Sequence, residues 1–247
     1  MSAEQPRLFE FQMGDRSPDK LVVAEANRDA AKLLTDWRAW PHGALAISGP
    51  PGSGKTHLAL AWALEVGARQ IPATASAEEG ADAFLQAGGR LLIDNADGAR
   101  DEPMLWRVLD LARAEHGAVL LVGGAPPSAW TVETPDLRSR LASLPVAKLG
   151  EPDEALMDVV LRRICREKFI QLSDDAAKYL VRRLPRTFAA AQAWAAALDE
   201  ELVRGAKPLT TVIAKRALEK MQARWTPAVE AAWSATYDML ADTMLAE

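Results

Sequence analysis

Short apolar runs alternate with longer amphipathic stretches up to Gly150; beyond it only amphipathic stretches remain. The runs at 44–47, 90–94 and 118–122 are too short for helices and apolar nearly throughout, which predicts strands covered on both faces. The more polar segments 69–73 and 144–149 predict two further strands, and Pro145 places the last at a sheet edge. Residues 80–87, 104–115 and 135–142 predict the helices between them. Residues 27–37 predict a helix ahead of the first strand, with Ala30, Ala31, Leu33, Leu34 and Trp37 apolar, and Pro41-His42-Gly43 breaks it. Strands and helices in turn imply βαβ crossovers and a largely parallel sheet covered by helices on both sides, an α/β fold of three αβα layers.

After Gly150 the expectation is a small all-helical domain. Residues 153–168 carry Leu156, Val159, Val160, Ile164 and Cys165 on one side. Ser173 is placed to cap a helix over 174–184. The alanine-rich stretch 187–204 stops at Gly205, and Thr210 or Thr211 caps a helix reaching Met221. The chain thus divides into an arm (1–19), an α/β domain (20–150, opening on the apolar run 21–23), a helical lid (151–221) and an extension (222–247). In the extension, Thr226-Pro227 fits an N-cap and N1 pair. Val229, Trp233, Tyr237, Leu240 and Met244 then share a face, either packed on the protein itself or open to a partner.

Between the first strand and the run 57–64 lies Gly49-Pro50-Pro51-Gly52-Ser53-Gly54-Lys55-Thr56. It fits G-x-x-x-x-G-K-[ST] at every fixed position, and strand, glycine-rich loop and helix is the context of a P-loop. The glycines let successive N–H groups curl toward phosphate oxygens. Lys55 is expected on the β/γ-phosphates, Thr56 on Mg²⁺, and the helix N-terminus, beginning near His57, adds its dipole. Asp94 closes the apolar strand 91–93, where it orients Mg²⁺ through water. Asn95 follows instead of a second acid and cannot accept a proton. Asp97 either substitutes in part or is a solvated loop carboxylate. Gly123-Gly124 end the fourth strand where a polar side chain is expected to sense the nucleotide. Hydrolysis in cis is therefore expected to be slow at most. Arg138 and Arg140 lie before the last strand, where an arginine can point out of its domain toward a neighbour's γ-phosphate, or simply form surface ion pairs. Arg186, after Pro185, either folds back on the phosphates or stays solvated.

Composition narrows the setting. The chain has 247 residues, 49% hydrophobic, with a net charge of −5. That balance argues against a large nucleic-acid surface. A single cysteine, Cys165, excludes an internal disulfide and suits a reducing cytoplasm. Neither a membrane-length apolar run nor a signal peptide is expected.

On residues 49–59, Ile93-Asp94-Asn95-Ala96-Asp97, residues 135–141 and the Arg186 helix, the chain resembles the DnaA-type branch of the AAA+ ATPases. Within it the chain is most similar to the Hda family of DnaA-related regulators of replication initiation, in its alphaproteobacterial form. The resemblance spans residues 20 to 220, and Asn95 belongs to it. It implies that Arg140 is an arginine finger acting in trans, that Arg186 is the sensor 2 arginine, and that Asn27 lies near adenine. It implies ADP or ATP with Mg²⁺ as cofactors. Gln5, with Leu8 and Phe9, resembles the Gln-x-x-Leu-Phe peptide that docks on the sliding clamp of DNA polymerase III, its β subunit. The implied partners are that clamp, loaded on DNA, and ATP-bound DnaA. The segment after Met221 is too short and too acidic for the DNA-box-binding domain of DnaA, so sequence-specific DNA binding is not expected, and self-association stays open. Two rival readings remain: an active ATPase that loads a helicase, and a nucleotide-gated scaffold in which Arg140 takes no part.

Overall fold

The computed structural model describes residues 27–99, 101–202 and 209–226. The arm with Gln5, Leu8 and Phe9, the run 21–23, the stop at Gly205 and the helix expected from Pro227 lie outside the described residues.

In chain order the elements are α1 Arg28–Thr35, β1 Ala44–Ser48, α2 Lys55–Val66, β2 Arg69–Ile71, α3 Ala77–Gln86, β3 Arg90–Ile93, α4 Glu102–Ala114, β4 Ala118–Gly123, α5 Pro135–Ala142 and β5 Val146–Lys148. The helical part follows as α6 Glu154–Glu167, α7 Asp174–Val181, α8 Phe188–Glu201 and α9 Thr211–Gln222. The five strands form one parallel sheet in the order β2-β3-β4-β1-β5. Every residue of β1 and β4 is buried, as their apolar runs require. Leu45, Ile47, Leu120 and Val122 face α2, packing with Leu58, Leu60 and Trp62. Ala44, Ala46, Val119 and Leu121 face α3 and α4, packing with Phe84, Met104 and Val108. The α/β fold and its parallel sheet thus match the sequence pattern.

Local chemistry sets the boundaries. The helix expected from Met104 starts two residues earlier, because Asp101 accepts from the Met104 N–H at 2.9 Å and Pro103 fits the first turn. Ser76 and Glu79 close a reciprocal capping box at the start of α3. Ser173 caps α7 as expected, through the Ala176 N–H. That helix ends at Val181, short of the expected Leu184. Thr210 occupies the N-cap of α9 without a side-chain cap bond. Pro145 precedes edge strand β5, and its carbonyl still accepts from Ala46 N–H at 3.0 Å.

The lid, α6 to α9, has a core of its own around the fully buried Trp194. The Trp194 indole N–H donates to the Ala214 carbonyl at 3.3 Å, joining α8 to α9. Cys165 lies in this core, and burial pushes its thiol up to about 12. No helix among the described residues is long and apolar enough to cross a membrane.

Cys165 should resist maleimide at pH 8 in the folded protein and react once denaturant opens the lid. Its pKa is raised in the folded state, so the unfolded chain loses this proton first as pH rises. Stability should therefore fall from about pH 9 toward 12, and Cys165→Ala should flatten that slope in denaturant titrations.

Candidate functional site

β1 and β4 are neighbours, and their C-terminal residues, Ser48 and Gly123, are register partners. The loops leaving them therefore emerge side by side at the carboxyl edge of the sheet, where ligands of open α/β folds bind. Gly49 N–H donates to the Gly124 carbonyl at 3.3 Å, tying the two loops together. The chain from β1 turns through Gly52 (φ +72°) and Gly54 (φ +88°) into α2. Only glycine adopts these conformations cheaply. A Cβ at Gly52 would also meet Thr187, and one at Gly54 would meet the Phe188 ring, at 2.6 and 2.7 Å. Phe188 N–H donates to the Gly52 carbonyl at 3.3 Å. The lid thus rests directly on the loop.

Between them lies a cavity of about 290 Å³. Pro51, Gly52, Gly54, Lys55, Thr56, His57 and Asp94 line it, as the motif predicts, and Gly49, Pro50 and Ser53 complete the loop beside it. Lys55 Nζ donates to the Gly49 and Pro50 carbonyls, each at 2.9 Å. Ser53 Oγ is buried with no hydrogen-bond partner among the described residues. A glycine cradle, an ammonium inside it and an unpaired buried hydroxyl fit a polyphosphate. Asp94 is buried just beyond β3, and its carboxylate accepts from the Asn95 N–H at 2.8 Å. Thr56 and Asp94 suit a Mg²⁺ held mainly by phosphate and water. Among the described residues no group of three His, Cys, Asp or Glu is placed to hold a metal without such help.

Asn95 is exposed in a left-handed conformation (φ 51°), which asparagine tolerates. Asp97 lines the cavity, and its Oδ2 accepts from the Gly124 N–H at 2.7 Å. A Cβ on Gly123 or Gly124 would meet that carboxylate at 3.2 or 3.4 Å. The loop after β3 thus packs against the end of β4 through Asp97. Asp97 is an exposed carboxylate with one oxygen bound to the Gly124 N–H.

The remaining predicted residues are placed elsewhere. Asn27 occupies the N-cap of α1, makes no cap hydrogen bond and does not line the cavity. Arg186 also lies outside it, paired with Glu154 at 3.0 Å; both side chains are about half exposed or more. Such a pair contributes about 0–1 kcal/mol, little enough for a phosphate to displace. Instead the lid lines the cavity with Phe188, Ala189 and Gln192. Nothing in their spacing marks them as site residues.

The two arginines of α5 separate. Arg138 folds back to the Val132 carbonyl and is bound within its own loop. Arg140 crosses to α4, where its guanidinium lies 4.0 Å from the Trp106 ring centroid and 3.5 Å from Asp110. It is 20% exposed, and its Nη1 is buried with no hydrogen-bond partner among the described residues. It lines a cavity with His42, Arg113 and Ser143, separate from that of the P-loop.

No protein-family model matches the sequence, and no curated protein is similar to it in sequence. Solved structures are similar in fold. Domain III of the replication initiation protein DnaA of Thermotoga maritima is 18% identical, with a TM-score of 0.64 over 84% of this chain and 97% of that one. AMPPCP-bound DnaA from Aquifex aeolicus is 16% identical, with a TM-score of 0.62 over 87% of this chain and 72% of that one. The Thermotoga maritima RuvB Holliday junction branch migration motor is 21% identical, with a TM-score of 0.64 over 83% and 72%. At these identities the likeness is one of fold: this chain shares with DnaA and RuvB a parallel α/β sheet followed by helices, and its P-loop cavity lies between the two.

Proposed function

We propose that this chain is a nucleotide-binding regulator of replication initiation of the Hda type, which holds ADP itself and promotes hydrolysis of ATP held by DnaA. The P-loop geometry supports nucleotide binding, and AMPPCP occupies one DnaA neighbour. Lys55 and Thr56 would bind the phosphates and Mg²⁺, with Asp94 orienting the metal and Arg186 exchanging Glu154 for phosphate. Mg²⁺ supplies charge neutralisation at the phosphate oxygens when bound.

Weak hydrolysis in cis follows from three features. Asn95 carries no base, Gly124 no side chain, and the Asp97 carboxylate is engaged by a backbone N–H. The observation that carries the trans reading is the placement of Arg140. It lies outside its own nucleotide cavity and lines a separate one. An arginine there has no phosphate of its own chain to stabilise, and to reach a neighbour's it would exchange its contacts with Trp106 and Asp110 for the phosphate. Gln5, Leu8 and Phe9 would tether the protein to the sliding clamp and raise its local concentration near DnaA.

Saturation with ADP and Mg²⁺ should stabilise the protein by about 2.7 kcal/mol at a hundredfold excess over Kd, raising the melting temperature by roughly 5–10 °C. Lys55→Ala should abolish the shift in scanning fluorimetry; an equal shift would place the nucleotide elsewhere. In a DnaA ATPase assay on clamp-loaded DNA, Arg140→Ala should lose stimulation, by about 10³-fold or more for a true finger. Arg138→Ala should keep stimulation and lose about 1 kcal/mol of stability with its loop hydrogen bonds. Unchanged stimulation by Arg140→Ala would favour the scaffold reading. Rapid turnover by the isolated protein would favour the helicase-loader reading. Gln5→Ala with Leu8→Ala and Phe9→Ala should remove clamp binding in a pull-down while leaving the nucleotide shift intact.

A further inference from the structure

The face formed by α3 and α4 has no part in the nucleotide site. It holds a groove of about 730 Å³. Ala81, Trp106 and Leu137 contribute its apolar floor, and Leu85 stands in it with 62% of its surface exposed. An exposed leucine beside Trp106 in a concave groove offers apolar anchors next to charged side chains. The rim is acidic. Glu78 and Asp82 lie one helical turn apart on α3, and Asp136 and Glu102 start α5 and α4. Arg107 is the one cation among the described lining residues. Hydrogen bonds from Thr134 and from the Glu133 backbone fix the Glu102 carboxylate in place and hold it below the usual carboxylate range.

Charge selects among occupants. A nucleic-acid strand is repelled by this rim. The chain's own segments 1–26 and 227–247 carry more acid than base, so neither complements it. We propose that the α3–α4 groove docks a basic amphipathic segment of a partner protein, its apolar side chains over Leu85 and Trp106 and its lysines or arginines on Glu78, Asp82 and Asp136. Such a segment matches the helix-in-groove mode of recognition. Trp106 gives the groove a link to Arg140, because the same ring seats the guanidinium. A segment seated on Trp106 thus contacts the support of the arginine. Only this link rests on the trans reading of Arg140; the groove itself stands without it.

The test uses the full chain and two synthetic helical peptides of equal length, one of leucine and lysine, one of leucine and glutamate. By calorimetry the lysine peptide should bind and the glutamate peptide should not. Hydrogen exchange should slow in residues 77–86 and 102–107. Glu78→Gln with Asp82→Gln should weaken binding about five- to thirtyfold, as two rim pairs of roughly 0.5–1 kcal/mol each imply. Leu85→Ala should weaken it again. Removing the same charge from the lid, with Asp175→Asn and Glu219→Gln, should leave affinity unchanged. Equal binding of both peptides, protection outside the groove, or equal loss from the lid variant would overturn the proposal. The ADP thermal shift, measured on every variant, confirms that it is folded. DnaA stimulation without peptide binding would remove the groove and keep the arginine reading. Peptide binding at the groove without DnaA stimulation would do the reverse.

Discussion

The structure depends on how closely the lid can approach the phosphate loop. Phe188 reaches the Gly52 carbonyl only because Gly52 and Gly54 have no Cβ to meet Thr187 and the Phe188 ring. The same glycines carry the left-handed backbone that aims N–H groups into the cavity. One constraint thus serves two ends: it shapes the anion cradle and sets where α8 begins. Thr187 caps α8 through the Ala190 N–H at 3.1 Å, fixing the lid's first turn against the loop. The phosphate loop and the first turn of α8 are thus joined through backbone contact.

Much of the fold was legible because the central strands are buried on both faces and must be apolar throughout. β1 and β4 follow their runs to within a residue. The start of α4 was misplaced because its first turn is polar: Asp101 and Pro103 announce it by capping chemistry, while the apolar period begins only at Met104. The P-loop was legible for a different reason. Its function needs fixed residue types at fixed spacing, so the motif is local. The lid's share of the cavity was not legible, because Phe188 and Gln192 reach it from a distant part of the chain. Side-chain direction was hidden too. Arg138 and Arg140 read alike in the sequence, yet one closes its own loop and the other stacks on Trp106.

That stacking sets how firmly Arg140 is held. Cation–π contacts of partly buried guanidinium groups amount to roughly 0.5–2 kcal/mol, and the Asp110 pair adds little at its exposure. The arginine is held in one orientation without being locked there. A guanidinium pre-positioned at modest cost loses less entropy on meeting an anion than one free in solvent.

The sheet's two edges have a consequence of their own. β2 and β5 are each three residues long. Pro145 directly precedes one and Arg69 begins the other. Short edges marked by proline and charge are poor templates for a further strand. The sheet is thereby protected from growing by addition of another chain's backbone, as aggregating β-proteins do. Among the described residues, contacts with other chains are thereby left to surfaces other than the sheet edges, where side chains make them and a single residue can switch them.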